Sequence, residues 1–157
     1  MLSDGVKEAW QINSRINKVI IDHLSPEMVH ARTPGGGWSV AQHLAEIVMT
    51  PKHFGSKFNA SLAKLPNLYE DNPDDFIAET DLNRIREVTA QTAEAVLAAA
   101  ETAQSKGDLP HNSLDAYLIH MMVHDAHHRG QLLLALKTNG FPLPSEDLMW
   151  KPWKAQG

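Results

Sequence analysis

Leu114-Asp115-Ala116-Tyr117-Leu118-Ile119-His120-Met121-Met122-Val123-His124-Asp125-Ala126-His127-His128-Arg129-Gly130-Gln131-Leu132-Leu133-Leu134-Ala135-Leu136 holds four of the chain's nine histidines. At about 100° per residue, with His124 at zero, Tyr117 and Ala135 fall near 20° and His128 near 40°. On the same scale Met121 lies at about 60° and Leu114 and Leu132 at about 80°. These positions make one stripe, so the segment is a helix that buries His124 and His128 with its apolar side chains. His120 and His127, at about −40° and −60°, lie on the flank. A neutral imidazole carries one donor and one acceptor, and burying either unpaired costs roughly 1–3 kcal/mol. Two of them one turn apart on a core face therefore need partners. A divalent metal supplies one by taking a lone pair from each; backbone and hydroxyl groups supply the alternative.

Proline and glycine punctuate the rest of the chain. The first helix spans about 4–24, with Val6, Ala9, Trp10, Ile16, Ile20 and Leu24 at helical spacing before Ser25-Pro26. After Pro34-Gly35-Gly36-Gly37, Ser39-Val40-Ala41-Gln42 spells a capping box and opens a second helix over 40–65, kinked or restarted at Pro51. Pro66 to Glu79 is acidic and irregular, a solvated loop long enough to lie over a binding site. A third helix runs over 81–105, with Glu87, Glu94 and Glu101 outward, and the fourth over 113–138, with Gly140 just past its end. The tail, 141–157, is extended and lays Trp150 and Trp153 on the body of the protein. No stretch alternates with period two. The fold class is all-α: residues 1–157 form a single helical-bundle domain of four helices.

Composition narrows the function. With 43% hydrophobic and 21% charged residues in 157, the chain is an ordinary globular sequence. Nineteen acids against fourteen Lys and Arg give a net charge of −5, which argues against nucleic acid as a partner. No apolar run is long enough for a membrane span, and Met1–Trp10 has neither the basic nor the apolar region of a secretory signal. A cytoplasmic location is expected. The absence of cysteine rules out disulfides, thiolate metal sites and a cysteine nucleophile.

An ion on two histidines needs a third protein ligand from another helix. On helix two, with Glu46 at zero, Thr50 lies at about 40°, His43 at about 60° and His53 at about −20°. An acid on a core face is unusual unless paired or ligated, so Glu46 is the first candidate, with His43 or His53 in reserve. Arg129, further round helix four, pairs with an acid or fixes a neighbouring helix. Gly130 suggests a close helix approach, and Gln131 a hydrogen bond to a ligating imidazole. No Glu-x-x-His pair lies on an inward face, which speaks against a ferritin-like di-iron site. Metalloprotease, P-loop and dinucleotide motifs are absent.

Gly37-Trp38-Ser39-Val40-Ala41-Gln42-His43-Leu44-Ala45-Glu46-Ile47, followed far downstream by His124-Asp125-Ala126-His127-His128-Arg129-Gly130-Gln131, resembles the DinB (DinB/YfiT-like) family over essentially the whole chain. Gly140-Phe141-Pro142-Leu143-Pro144 and Met149-Trp150-Lys151-Pro152-Trp153 are similar to family members as well. The resemblance implies an antiparallel four-helix bundle with a long crossover connection, usually a homodimer. It also implies a divalent metal ion, commonly nickel or zinc, held by three histidines. Two map onto His124 and His128; the third position, eight residues after the motif tryptophan, is Glu46 here. His₂Glu is itself a known catalytic zinc set, although the change can also weaken or abolish metal binding. Relatives that use mycothiol or bacillithiol make a thiol-dependent transferase the sharpest enzymatic expectation, with a small-molecule substrate. Metal-dependent hydrolysis and a non-enzymatic, stress-related metal- or ligand-binding bundle are the alternatives, beside a structural dimer whose histidines are satisfied without metal.

Overall fold

The computed structural model describes residues 1–70 and 76–154. Its long helices are α1 (Asp4–His23), α2 (Val40–Gly55), α3 (Leu82–Thr102) and α4 (Leu114–Thr138), followed by a short α5 (Glu146–Trp150). No strand occurs among the described residues; there are only isolated bridges, Arg32 with Ser39 and Tyr69 with Ala78. None of these helices is long and apolar enough to cross a membrane.

Contacts at both ends of each pair fix the helix directions. Lys7 pairs with Glu101 at 3.7 Å and Arg86 with Asp22 at 2.8 Å, so α1 and α3 are antiparallel. The Ser3 amide donates to Asp115 at 2.9 Å and His23 Nε2 donates to the Pro142 carbonyl at 2.7 Å, so α1 and α4 run together. His43 meets His128, and the Tyr117 hydroxyl donates to the Pro51 carbonyl at 2.6 Å, so α2 opposes α4. The order is thus up-down-down-up, so α2 and α3 point the same way and the connection between them has to return along the bundle. Around the ring α1 touches α3 and α4, as does α2, which puts the α2–α4 seam opposite the α1–α3 seam.

Local chemistry starts and stops these helices largely as the sequence spells it. Ser39 accepts from the Gln42 amide at 3.2 Å, and the Gln42 side chain accepts from the Ser39 amide at 2.8 Å. Ser113 caps α4 through the Ala116 amide, and Asp81 caps α3 through the Asn83 and Arg84 amides. Past α4, Gly140 takes φ +75° while the Phe141 amide returns to the Leu136 carbonyl.

Three expectations need correction. The second helix does not reach Leu65: α2 carries Pro51 within it but ends at Gly55, and a short 3-10 turn, Ala60–Lys64, follows. A Cβ at Gly55 would lie 2.6 Å from Leu62 Cδ1 and 2.9 Å from the Tyr117 hydroxyl, so a larger residue at this helix end would have to displace those side chains. The tail is not extended throughout, because acidic Glu146 and Asp147 open α5, which leads into a turn at Lys151–Trp153. Trp150 and Trp153 line a surface groove with α1 and α4 yet stay more than half exposed, at 60% and 53%. Gly130 is exposed, and nothing among the described residues outside its own helix lies within 4 Å of where its Cβ would be, so the expected close helix approach is not made there.

The apolar interior falls into two clusters. Trp10, Leu118 and Met121 belong to one, and Ile20, Leu44, Leu132 and Leu136 to the other. Between them on α4 lie His124, Asp125 and His128, and on α1 Asn13 and Asn17. That polar layer holds the candidate site.

Candidate metal centre

Glu46 comes from the middle of α2 and His124 and His128 from the middle of α4, where the two helices pass antiparallel. Each offers one ligating atom, and the three atoms lie within 4.8 Å of one another. His124 Nε2 stands 3.0 Å from His128 Nε2 and 3.7 Å from Glu46 Oε2. Two imidazole nitrogens bound to one zinc-like ion at about 2.0–2.1 Å stand about 3 Å apart, so the donor set fits a small divalent cation. Both flanking side chains are mostly covered, 14% exposed for Glu46 and 18% for His124.

The surrounding groups orient these three. Thr50, one turn beyond Glu46, donates to Glu46 Oε2 at 3.1 Å and touches His124 Nε2 at 3.3 Å. His43, the reserve ligand, is buried and contacts His128 Nδ1 through its own Nδ1 at 2.9 Å. It therefore stands behind His128, where it can fix the ring and leave Nε2 free for an ion. The Trp38 indole lies nearly parallel to the His128 ring at 6.1 Å, and Phe76 of the crossover packs edge-on against Trp38. Gln42 ties that segment down by donating to the Phe76 carbonyl at 2.7 Å. Of the 66–79 loop, whose length leaves open a role over a site, Phe76 reaches Trp38 and Gln42; residues 71–75 lie outside the described residues.

His53 is exposed and packs on Phe54, which removes it as a reserve ligand. Gln131 makes no hydrogen bond to an imidazole among the described residues; the side chains that touch the two rings are His43 and Thr50.

Electrostatics separates the two imidazoles. Burial disfavours charge on both. At His124 the carboxylates of Asp125 and Glu46, 3.9 and 3.7 Å away, outweigh burial and raise the pKa to about 9. At His128 burial acts with the neighbouring His124 and His43 and lowers it to about 4. Burial pushes Glu46 up, but His124 and Thr50 more than reverse this and leave its carboxyl below the usual range. Burial also lowers His43. The proton assignment that follows these shifts has protonated His124 donating from Nε2 to His128 Nε2, and His128 donating from Nδ1 to His43 Nδ1. Exchanging the single proton on His124 Nε2 for a cation leaves the His128–His43 bond unchanged.

Behind His124, a buried polar cluster joins α1 to α4. Asn13 and Asn17 donate to Asp125 Oδ2 at 2.7 and 2.9 Å, and Arg129 donates to both Asn carbonyl oxygens at 2.7 Å. Arg129 thus fixes the neighbouring helix, one of the two roles expected of it. Sequence reasoning passed over Asp125, although its helical angle, about 100°, is next to that of Leu132. Asn13 and Asn17, one turn apart among the apolar positions of α1, were the matching signal.

A comparison with curated proteins gives no match. A crystal structure of a DinB-like protein from Bacillus cereus superposes with a TM-score of 0.69 at 18% identity, covering 90% of this chain and 95% of that one. At that identity the likeness concerns the fold. The sequence model of the DinB family matches residues 4–157. The chain belongs to the DinB family.

Proposed function

We propose that Glu46, His124 and His128 hold one divalent cation, nickel or zinc, and that the protein is a metal-dependent enzyme acting on a small molecule with a low-molecular-weight thiol. The observation that carries this is the convergence of two buried-face imidazole Nε2 atoms and a carboxylate from the opposing helix. Such an ion supplies Lewis acidity and lowers the pKa of a bound thiol or water. The chain itself has no cysteine, so the thiol arrives with the substrate. Glu46 brings negative charge, Thr50 steadies its carboxylate, and His43 and Trp38 hold the His128 ring in place. The cytoplasm, where small thiols are kept reduced, is the location we assign. Hydrolysis by a metal-activated water remains the second reaction open to the same donor set.

Elemental analysis of the untagged protein tests the ligand set. One ion per chain, lost in His124→Ala and in His128→Ala and weakened in Glu46→Ala, is expected; no ion after incubation with zinc and nickel overturns it. Turnover of electrophiles across a panel of small thiols, against hydrolysis without thiol, separates the two reactions.

The homodimer is a further part of the proposal, supported by the outer face of α4. Val123 is 63% exposed, Ile119 is also exposed, and Ala126 and Gly130 leave room beside them for a second helix. Sedimentation should show a dimer that Val123→Glu converts to monomer; a wild-type monomer contradicts this.

A further inference from the structure

His124 makes its inward contacts through Nε2, and its other nitrogen, Nδ1, is buried with no hydrogen-bond partner. Asp125 is 2% exposed, and only its Oδ2 is engaged, by Asn13 and Asn17; Oδ1 is likewise buried and unpartnered. These two atoms are 3.9 Å apart. Thr89 and Thr92 of α3 line the same small void as Asp125, about 10 Å³, but their hydroxyls make no hydrogen bond to it.

We infer that Asp125 is a positioning residue for His124: its Oδ1 holds the proton on His124 Nδ1 and so commits Nε2 to the space between His128 and Glu46. The inference rests on the metal-site reading for its purpose and on the geometry for its content. A carboxylate is clamped on one oxygen by two asparagines from another helix, and its other oxygen faces the back of a candidate ligand. Fixing a ligating imidazole through its second nitrogen sets its tautomer and ring orientation, and losing that contact in metal sites lowers affinity roughly 10–100-fold. A histidine with a free ring could present either nitrogen to the ion.

Asp125→Asn separates this role from the tie between α1 and α4. The amide oxygen can still accept from Asn13 and Asn17, while the amide nitrogen now offers a donor towards Nδ1. Because that change leaves Arg129 without a countercharge, the double variant Asp125→Asn/Arg129→Gln serves where the single one fails to fold. Nitrogen-edited proton NMR of the ring N–H groups is the first readout, with the His124 signal assigned by its loss in His124→Gln. A protected Nδ1–H resonance is expected in the metal-free protein and unchanged in position class on adding zinc. It should vanish in the Asp125 variants and survive in Thr92→Val. The second readout is zinc affinity by competition with a chromophoric chelator, compared on the high-pH plateau where no proton on His124 Nε2 competes with the ion, and expected to fall roughly 10–100-fold there in Asp125→Asn. Absence of the Nδ1–H signal in the wild type, or its persistence in both Asp125 variants, overturns the inference. So does zinc affinity unchanged by Asp125→Asn. A wild type that binds no zinc but loses the signal on Asp125 replacement sinks the metal reading and leaves the positioning contact standing.

Discussion

Loading the site should release one proton, and pH is the perturbation that reveals it. His128, with a pKa of about 4, is already neutral near pH 7, and Glu46, held below the usual carboxyl range, is already ionised. His124, raised to about 9, is the ligand that must give up a proton. Near pH 7 that is about two pH units below its pKa, a penalty of about 2.7 kcal/mol or about 100-fold in apparent affinity. Apparent zinc affinity should therefore climb about tenfold per pH unit from about pH 6.5 to 8.5 and level off above about 9. Chelator competition across that range gives the slope, and calorimetry in buffers of different ionisation enthalpy counts the protons directly. Glu46→Gln removes one of the carboxylates that hold the proton, so its plateau should begin at lower pH. An affinity flat with pH and no proton release, or release of two protons near pH 7, refutes the assignment of charge to His124 alone.

In the metal-free protein the same pair shapes stability. His124 has a folded pKa above its usual 6.5, so its contribution is present below that value and lost as pH rises through about 9. His128 has a folded pKa below 6.5, so its contribution is present above that value and lost as pH falls towards about 4. Urea unfolding of chelator-treated protein should show a maximum near pH 6.5 that His124→Gln/His128→Gln flattens; an unaltered profile in that variant contradicts the coupling. Lys52, buried on α2, donates to the Leu65 carbonyl at 2.6 Å, to the Pro66 carbonyl at 2.9 Å and to Asn67 Oδ1. Lys52→Met, which leaves all three acceptors without their donor, should cost about 2–3 kcal/mol in denaturant unfolding. Tyr117→Phe removes the bond to the Pro51 carbonyl and should cost about 1–2 kcal/mol; a smaller loss than about 0.5 kcal/mol would mean that the bond contributes nothing net.

Much of this was legible in the chain because it is written locally. Ser39-Val40-Ala41-Gln42, Ser113 and Gly140 set their helix ends by chemistry within a few residues, and 100° arithmetic was enough to turn His124, His128 and Glu46 inward. What was missed depends on distant partners. At Gly55, where α2 ends, Leu62 and Tyr117 crowd the space a Cβ would take, a contact with no local signature. Gly130 looks the same in sequence whether its neighbour is a helix of this chain or none. His43 shares the inward face of Glu46, yet only the position of His128 decides that it backs a ligand rather than joining the set. Asp125, Asn13 and Asn17 were hidden by the apolar pattern itself, since three polar residues on core faces make sense only once they are seen to satisfy one another.

The most direct measurement is anomalous diffraction from crystals of the untagged protein grown with zinc and collected on either side of the zinc absorption edge. One dominant site per chain is expected, bounded by Glu46 Oε2, His124 Nε2 and His128 Nε2, with His43 still against His128 Nδ1. Zinc seated elsewhere, such as at the pair His111 Nε2 and His120 Nδ1, which stand 2.8 Å apart, with those three side chains bonded only to protein, would contradict it.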